Sequence, residues 1–218
     1  MNQLMRFQKT AIQFAKAPVL GQVKTRLQTQ LSAEEALAVH CELTALTFSL
    51  LTTTTADQIH LQIAGAIDDN FFAPYHQHPK AQVQVQVDGD LGVKMCVALN
   101  QALRTSNVAL LVGSDCPVLT REVIERAFHA LLTQENSSDL VLIPAEDGGY
   151  VLIGSRQPLP EQLFEGVEWG GSKVLKQSLA CIERAGLSVI TFEPLWDIDR
   201  PEDLRRWRAL SEALFSDT

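Results

Sequence analysis

The sequence predicts an α/β fold: a mainly parallel, mixed sheet with helices on both faces, in one domain covering residues 1–218. Strand-like apolar runs alternate with helix-like segments along the chain, the pattern of parallel strand–helix units. The run VALLV at 108–112 is apolar throughout and stops at GSD. It thereby delivers Asp115 to the carboxyl edge of a sheet, where open α/β folds keep their ligand sites. With 218 residues, 46% of them hydrophobic, the chain can bury one sizeable core.

Periodicity places the first strand at 11–15, followed by a loop broken by Pro18 and Gly21 and a short basic segment at 23–27. Ser32 with Glu35 forms a capping box, and apolar spacing through Ala36, Leu37, Cys41, Thr44 and Phe48 carries a helix to about Leu51. A strand at 58–64 comes next. QVQVQV at 82–87 alternates without a fault, which marks an edge or near-edge strand with one face toward solvent or a polar neighbour. A turn at 88–92 leads to a helix at 93–103, with Asp88 or Asp90 near its N-terminus. The strand at 108–112 is followed by a helix at 120–132. Two short runs, 140–144 and 150–154, flank AEDGG, whose D-G and G-G pairs signal a tight hairpin turn. A helix at 172–185 with Ser172 as its N-cap, a strand at 187–192 and a helix from about Pro201 complete the pattern.

Composition excludes several classes. Eighteen basic against 26 acidic side chains give a net charge of −8, the wrong sign for a nucleic-acid-binding surface. The four cysteines show no C-x-x-C pair and read as buried free thiols in a reducing, cytoplasmic setting. Cys116 beside Asp115 has no histidine placed in sequence to activate it, so a packing role outweighs a nucleophilic one. No leader-like apolar region follows Arg6, and nowhere do 18 apolar residues run together, so neither secretion nor a membrane span is expected.

The chemistry lies in acids that follow strands: Asp115, then Glu146 and Asp147, then Asp197 and Asp199. In a parallel sheet they share one rim. Any one of them alone reads as a helix cap. Converging, they make the oxygen-rich setting that suits Mg²⁺ or Mn²⁺, ions that also bind substrate phosphates. Balancing cations, Lys16, Lys24 and Arg26, follow the first strand. Gly21 alone makes neither a G-x-G-x-x-G nor a Walker loop, so these side chains would hold phosphate instead. Asp147, Gly148, Gly149 and Tyr150 combine a carboxylate, close backbone approach and a ring. Trp169 precedes a helix and is read as either packing or ligand-facing. His76 and His78 have the only histidine spacing of note and sit in a Pro-flanked loop, more surface than metal site.

Five co-linear segments, FAKAPVLGQVKTRL (14–27), GDLG (89–92), GSDCP (113–117), DGGYVLIG (147–154) and DIDRPEDL (197–204), closely resemble a bacterial family of GT-A-like transferases. The family is of glycosyltransferase type and in part associated with arsenosugar biosynthesis. The match runs from about residue 11 to 204. The same order of parts is similar to nucleotidyltransferases such as phospholactate guanylyltransferases and sugar-acid cytidylyltransferases. The resemblance implies a single GT-A-like nucleotide-diphospho-sugar transferase domain in which Asp115 and Asp199 hold the metal. It also implies that Lys24 and Arg26 contact phosphate, and that Gly89, Asp90 and Gly92 lie on the nucleotide side. Asp147, Gly148, Gly149, Tyr150 and Trp169 would meet the transferred group or acceptor. Arg200 stands where threonine is usual, Gly171 interrupts the commoner pattern after Trp169, and Val93-Lys94 replaces Glu-Arg, keeping one positive charge.

The expected activity is metal-dependent transfer from a nucleotide-sugar donor to a small-molecule acceptor, with Asp147 or Glu146 orienting or deprotonating the acceptor and Lys24 assisting. The alternative is nucleotidyl transfer from a nucleoside triphosphate with release of pyrophosphate. A third class, a nucleotide-binding regulatory module, predicts binding without turnover. A homo-oligomer is compatible with the sequence, which fixes no oligomeric state.

Overall fold

The structure, a computed structural model, describes residues 7–133 and 138–216. Its strands are β1 (Phe7–Lys16), β2 (Gln58–Ala64), β3 (Ala81–Val85), β4 (Ser106–Val112), β5 (Leu140–Pro144), β6 (Tyr150–Ser155) and β7 (Val189–Thr191). They form one sheet in the order β3-β2-β1-β4-β6-β5-β7. β6 runs antiparallel to both β4 and β5, and every other pairing is parallel. The mixed α/β architecture expected from the sequence is the one observed.

Side-chain alternation on the strands divides the core in two. Ala11, Leu61, Leu110, Val141 and Ile143 join helices α1 (Ala33–Thr52) and α4 (Arg121–Leu132) on one face. On the other, Ile12, Ala109, Leu111, Leu142 and Ile153 meet α3 (Leu91–Leu103) and α5 (Val174–Arg184). A third cluster, Leu27, Ala36, Val39, Leu43, Trp196, Ile198 and Leu204, welds the loop after β1 to α1 and to the start of α6 (Pro201–Ser216). Among the described residues no helix is long and apolar enough to cross a membrane.

The helix starts follow from local chemistry. Ser32 and Glu35 complete the capping box of α1 reciprocally, Asp90 Oδ1 accepts from Val93 N at the head of α3, and Thr120 caps α4. α5 departs from expectation: it begins at Val174, and Ser172 is not its cap. The backbone of Ser172 is instead pressed against Gly148, and Leu175 N donates to the Gly148 carbonyl. The 3-10 turn Asn70–Phe72 and the single helical turn α2 (Ala73–His76) had no periodic signal. Both exist to seat Phe72 and Tyr75 in the core.

Candidate active site

The strand order reverses at β1, since β2 and β3 lie to one side of it and β4 to the other. A crevice opens at the carboxyl ends of strands where such a reversal occurs. Here it is a cavity of about 390 Å³ lined by the ends of β1 (Phe14, Ala15, Lys16), β2 (Ala64) and β4 (Gly113, Ser114, Asp115). Val23, Lys24, His40, Gln86, Leu91 and Lys94 complete it.

Asp115 is set by the loop that carries it. Ser114, 5% exposed, donates through Oγ to the Phe14 carbonyl at 2.8 Å and accepts from Gln13 Nε2, also at 2.8 Å. Gln13, fully buried, also donates to the Thr44 carbonyl of α1, while its Oε1 has no partner among the described residues. The Asp115 carbonyl then accepts from Ile198 N at 2.8 Å, which brings the segment 197–199 to the same rim. The hairpin turn between β5 and β6 supplies Asp147, whose Oδ1 accepts from Gly149 N at 2.8 Å.

Three carboxylates crowd this rim. Burial, with the neighbouring charges of Asp147 and Asp115, raises the Asp197 carboxyl from 3.8 to about 6. Two cations answer the rest. Lys24 Nζ lies 2.7 Å from Asp115 Oδ1, and Arg26 pairs with Asp199, whose hydrogen bond and charge hold the guanidinium pKa above its usual value. Lys24 is the only non-glycine residue with positive φ (48°) among those described, and its side chain is 7% exposed. Its backbone strain is accepted where the side chain must turn inward to reach both Asp115 and the Ile198 carbonyl.

These carboxylates would suit a hard divalent cation, and the ionisation of Asp197 is suppressed by burial and by its acidic neighbours. Asp115 and Asp199 remain the candidate ligands, and the structure places Asp197 and Asp147 beside them. Among the described residues no three acidic, imidazole or thiol groups are pre-assembled to hold an ion. Mg²⁺ sites of the kind completed by substrate oxygens and water need only one or two protein carboxylates.

The cavity is basic although the chain is acidic, for Lys16, Lys24 and Lys94 line it against the single acid Asp115. His40 sits at its floor, 5% exposed, with Nε2 3.0 Å from the Lys16 carbonyl. A carbonyl only accepts, so Nε2 carries the hydrogen. Burial lowers the ring's pKa, leaving a neutral imidazole with a bare Nδ1. His40, Gln86 and Lys94 were not among the residues expected here. Lys94 alone left a signal, as the retained charge after GDLG.

Other expected residues lie elsewhere. Glu146 is exposed and held by both guanidinium nitrogens of Arg206, which lowers its pKa and turns it away from the carboxylate group. The Tyr150 hydroxyl points inward, 3.8 Å from Met95 Sδ, in the core beneath α3. Trp169 stacks edge-on against Phe164 and covers Gly92, where an added Cβ would lie 2.9 Å from its ring. Gly89, Asp90 and Gly92 do not line the cavity themselves; they start the helix whose Leu91 and Lys94 do.

A structure from Desulfovibrio desulfuricans described as a candidate nucleotide-diphospho-sugar transferase is similar to this chain at 27% identity and a TM-score of 0.78. It covers 88% of this chain and 82% of that one. The 4-diphosphocytidyl-2C-methyl-D-erythritol synthase of Anaerococcus prevotii (12% identity, TM-score 0.61, 94% and 96% covered) shares the fold. So does the inositol-1-phosphate CTP transferase of T. maritima (13%, 0.58, 93% and 93%). No curated protein matches the sequence. The fold is thus that of the nucleotide-diphospho-sugar transferases and nucleotidyltransferases, and nothing in these likenesses bears on arsenosugars. A family model matches residues 47–171, more than half the chain, and the protein therefore belongs to the family described as uncharacterized proteins conserved in bacteria (DUF2064).

Proposed function

We propose that the protein is a metal-dependent transferase that takes a nucleotide-sugar donor and passes its sugar to a small-molecule acceptor. The observation that carries this reading is the basic cavity at the strand-order reversal, lined by Asp115, whose carbonyl also holds the segment 197–199 and whose charge acts on Asp197 together with that of Asp147. Lys16, Lys24 and Lys94 would hold the diphosphate oxygens as point charges. A divalent ion held by Asp115 and Asp199 would neutralise the charge that develops on the leaving nucleotide. Release of Lys24 from Asp115 on binding would free its ammonium for the phosphates. Asp147, exposed and with its Oδ1 accepting from Gly149 N, would orient the acceptor or take its proton.

The structural likeness to a candidate nucleotide-diphospho-sugar transferase supports donor chemistry of this kind. Nucleotidyl transfer is the second reading. Three lysines around one cavity match the charge of a triphosphate as well as that of a diphosphate.

Thermal-shift measurements with nucleoside triphosphates and nucleotide sugars, with and without Mg²⁺ or Mn²⁺, separate the two. Metal-dependent stabilisation by nucleotide sugars, lost in Asp115→Asn, supports glycosyl transfer. Stabilisation by triphosphates alone moves the assignment to nucleotidyl transfer, and wild-type turnover in Asp115→Asn overturns both.

A further inference from the structure

β3 is the outer strand of the sheet. Ile59 N donates to the Lys80 carbonyl and Gln86 N to the Ile63 carbonyl, so the even-numbered residues of this stretch turn their backbone toward β2. The N–H and C=O groups of Val83 and Val85 consequently face outward, and no described residue pairs with them. Solitary edge strands are blunted by charges, proline or bulges. AQVQVQV at 81–87 has none of these, in a chain whose net charge is −8. Val85 and Val87 stand 56% and 36% exposed beside it.

We propose that this edge pairs with the same edge of a second copy, forming a two-fold symmetric dimer through antiparallel β3 strands centred on Gln84. Charge complementarity selects the register. With Gln84 opposite its own copy, Lys80, in the turn just before β3, and Asp88, in the bend that follows it, come opposite one another across the axis, where an ion pair at each end would favour the contact. Lys80 reaches the Ala56 carbonyl at 3.0 Å in the single chain and is otherwise uncommitted to an acid. The register also meets the backbone parity, because it sets outward-facing Val83 against outward-facing Val85 as hydrogen-bonded pairs. These pairs cover the exposed Val85 on one face. On the other, Gln82 meets Gln86 and Gln84 meets Gln84, so amide pairs extend a polar carpet. Gln58, His60, Gln62, Gln82 and Gln84, with Gln101, Arg104 and Thr105, already line a cavity of about 590 Å³ to which Val85 and Val87 also contribute, and no acid among the described residues lines it. An isologous contact of this kind closes on itself and leaves no unpaired β3 edge through which to propagate.

Sedimentation velocity and light scattering on the full chain over a micromolar concentration series test it. The wild type is expected to reach twice its 24.1 kDa mass. Gln84→Lys sets two ammonium groups face to face on the axis and should leave a monomer of unchanged circular dichroism and thermal midpoint. Lys80→Asp should do the same, and the double exchange Lys80→Asp with Asp88→Lys should restore the dimer. Gln84→Cys should cross-link under mild oxidation, since non-hydrogen-bonded antiparallel pairs hold Cα atoms about 4.5 Å apart, within disulfide reach. Gln82→Cys, which faces Gln86, should not. A wild type monomeric throughout, or a dimer indifferent to Gln84→Lys, overturns the proposal.

Discussion

The Lys24 ammonium ties Asp115 at 2.7 Å to the carbonyl of Ile198, 174 residues further along the chain from Lys24. One buried cation thus joins the loop after β1, the loop after β4 and the approach to α6. Lys24→Met removes this tie and keeps the strained backbone. The expected cost is about 1–2 kcal/mol in urea unfolding, moderated because Asp115 is half exposed. An unchanged urea midpoint would show that the tie is incidental.

Asp197 sets a pH dependence. Burial, with the charges of Asp147 and Asp115 nearby, raises its carboxyl in the folded chain from the usual 3.8 to about 6, so between these values the folded state holds more protons than the unfolded one. The stability it contributes is present at the acid end of that window and is lost as pH rises through it. Without added divalent cation, Asp197→Asn should raise stability at pH 7 by about 1–2 kcal/mol after solvent screening is allowed for, and flatten the profile between pH 4 and 6. A profile identical to that of the wild type would refute the burial of this carboxyl among acidic neighbours.

Gly148 has φ +93°, and an added Cβ would stand 2.2 Å from the Ser172 carbonyl oxygen. The clash is with backbone on both sides, and the turn that would have to shift carries Asp147. Gly148→Ala is expected to cost about 2–4 kcal/mol by denaturation. A stable variant would mean that the hairpin and the lead into α5 part easily.

Lys16→Ala and Lys94→Ala should each weaken binding of a nucleoside diphosphate or nucleotide sugar about tenfold, roughly 1.4 kcal/mol, at low salt. Neither lysine makes an ion pair among the described residues that would be lost, so thermal midpoints without ligand should barely move. Calorimetric titration checks both. Undiminished affinity in the pair would relocate the phosphates.

Much of this architecture was legible because its signals are local. The capping box at Ser32, the fault-free alternation at 82–87 and the D-G/G-G turn before Tyr150 each specify their element from a few neighbouring residues. Strand ends were legible too, and with them the arrival of Asp115, Asp147 and Asp197 at one rim. What the sequence hid depends on partners distant along the chain. Gln13 reads as one polar residue in an apolar strand, and only the fold shows it reaching Ser114 and Thr44. Glu146 and Asp147 are adjacent, and nothing in their order reveals that Arg206 claims the first. The indole of Trp169 and the ring of Tyr150 were equally open to packing or binding, and packing against α3 decided both.

The cluster joining Leu27 to Trp196, Ile198 and Leu204 also orders events in time. A chain emerging from the ribosome can pair β1, β2, β3 and β4 early, and can even shape the three-lysine cavity. It cannot position Asp197 or Asp199, or give Lys24 its second anchor, until residues 196–204 have been made and docked. Nascent and truncated chains would therefore carry a sheet without a working rim, so the last part of the site to be synthesised acts as a check that the rest has folded.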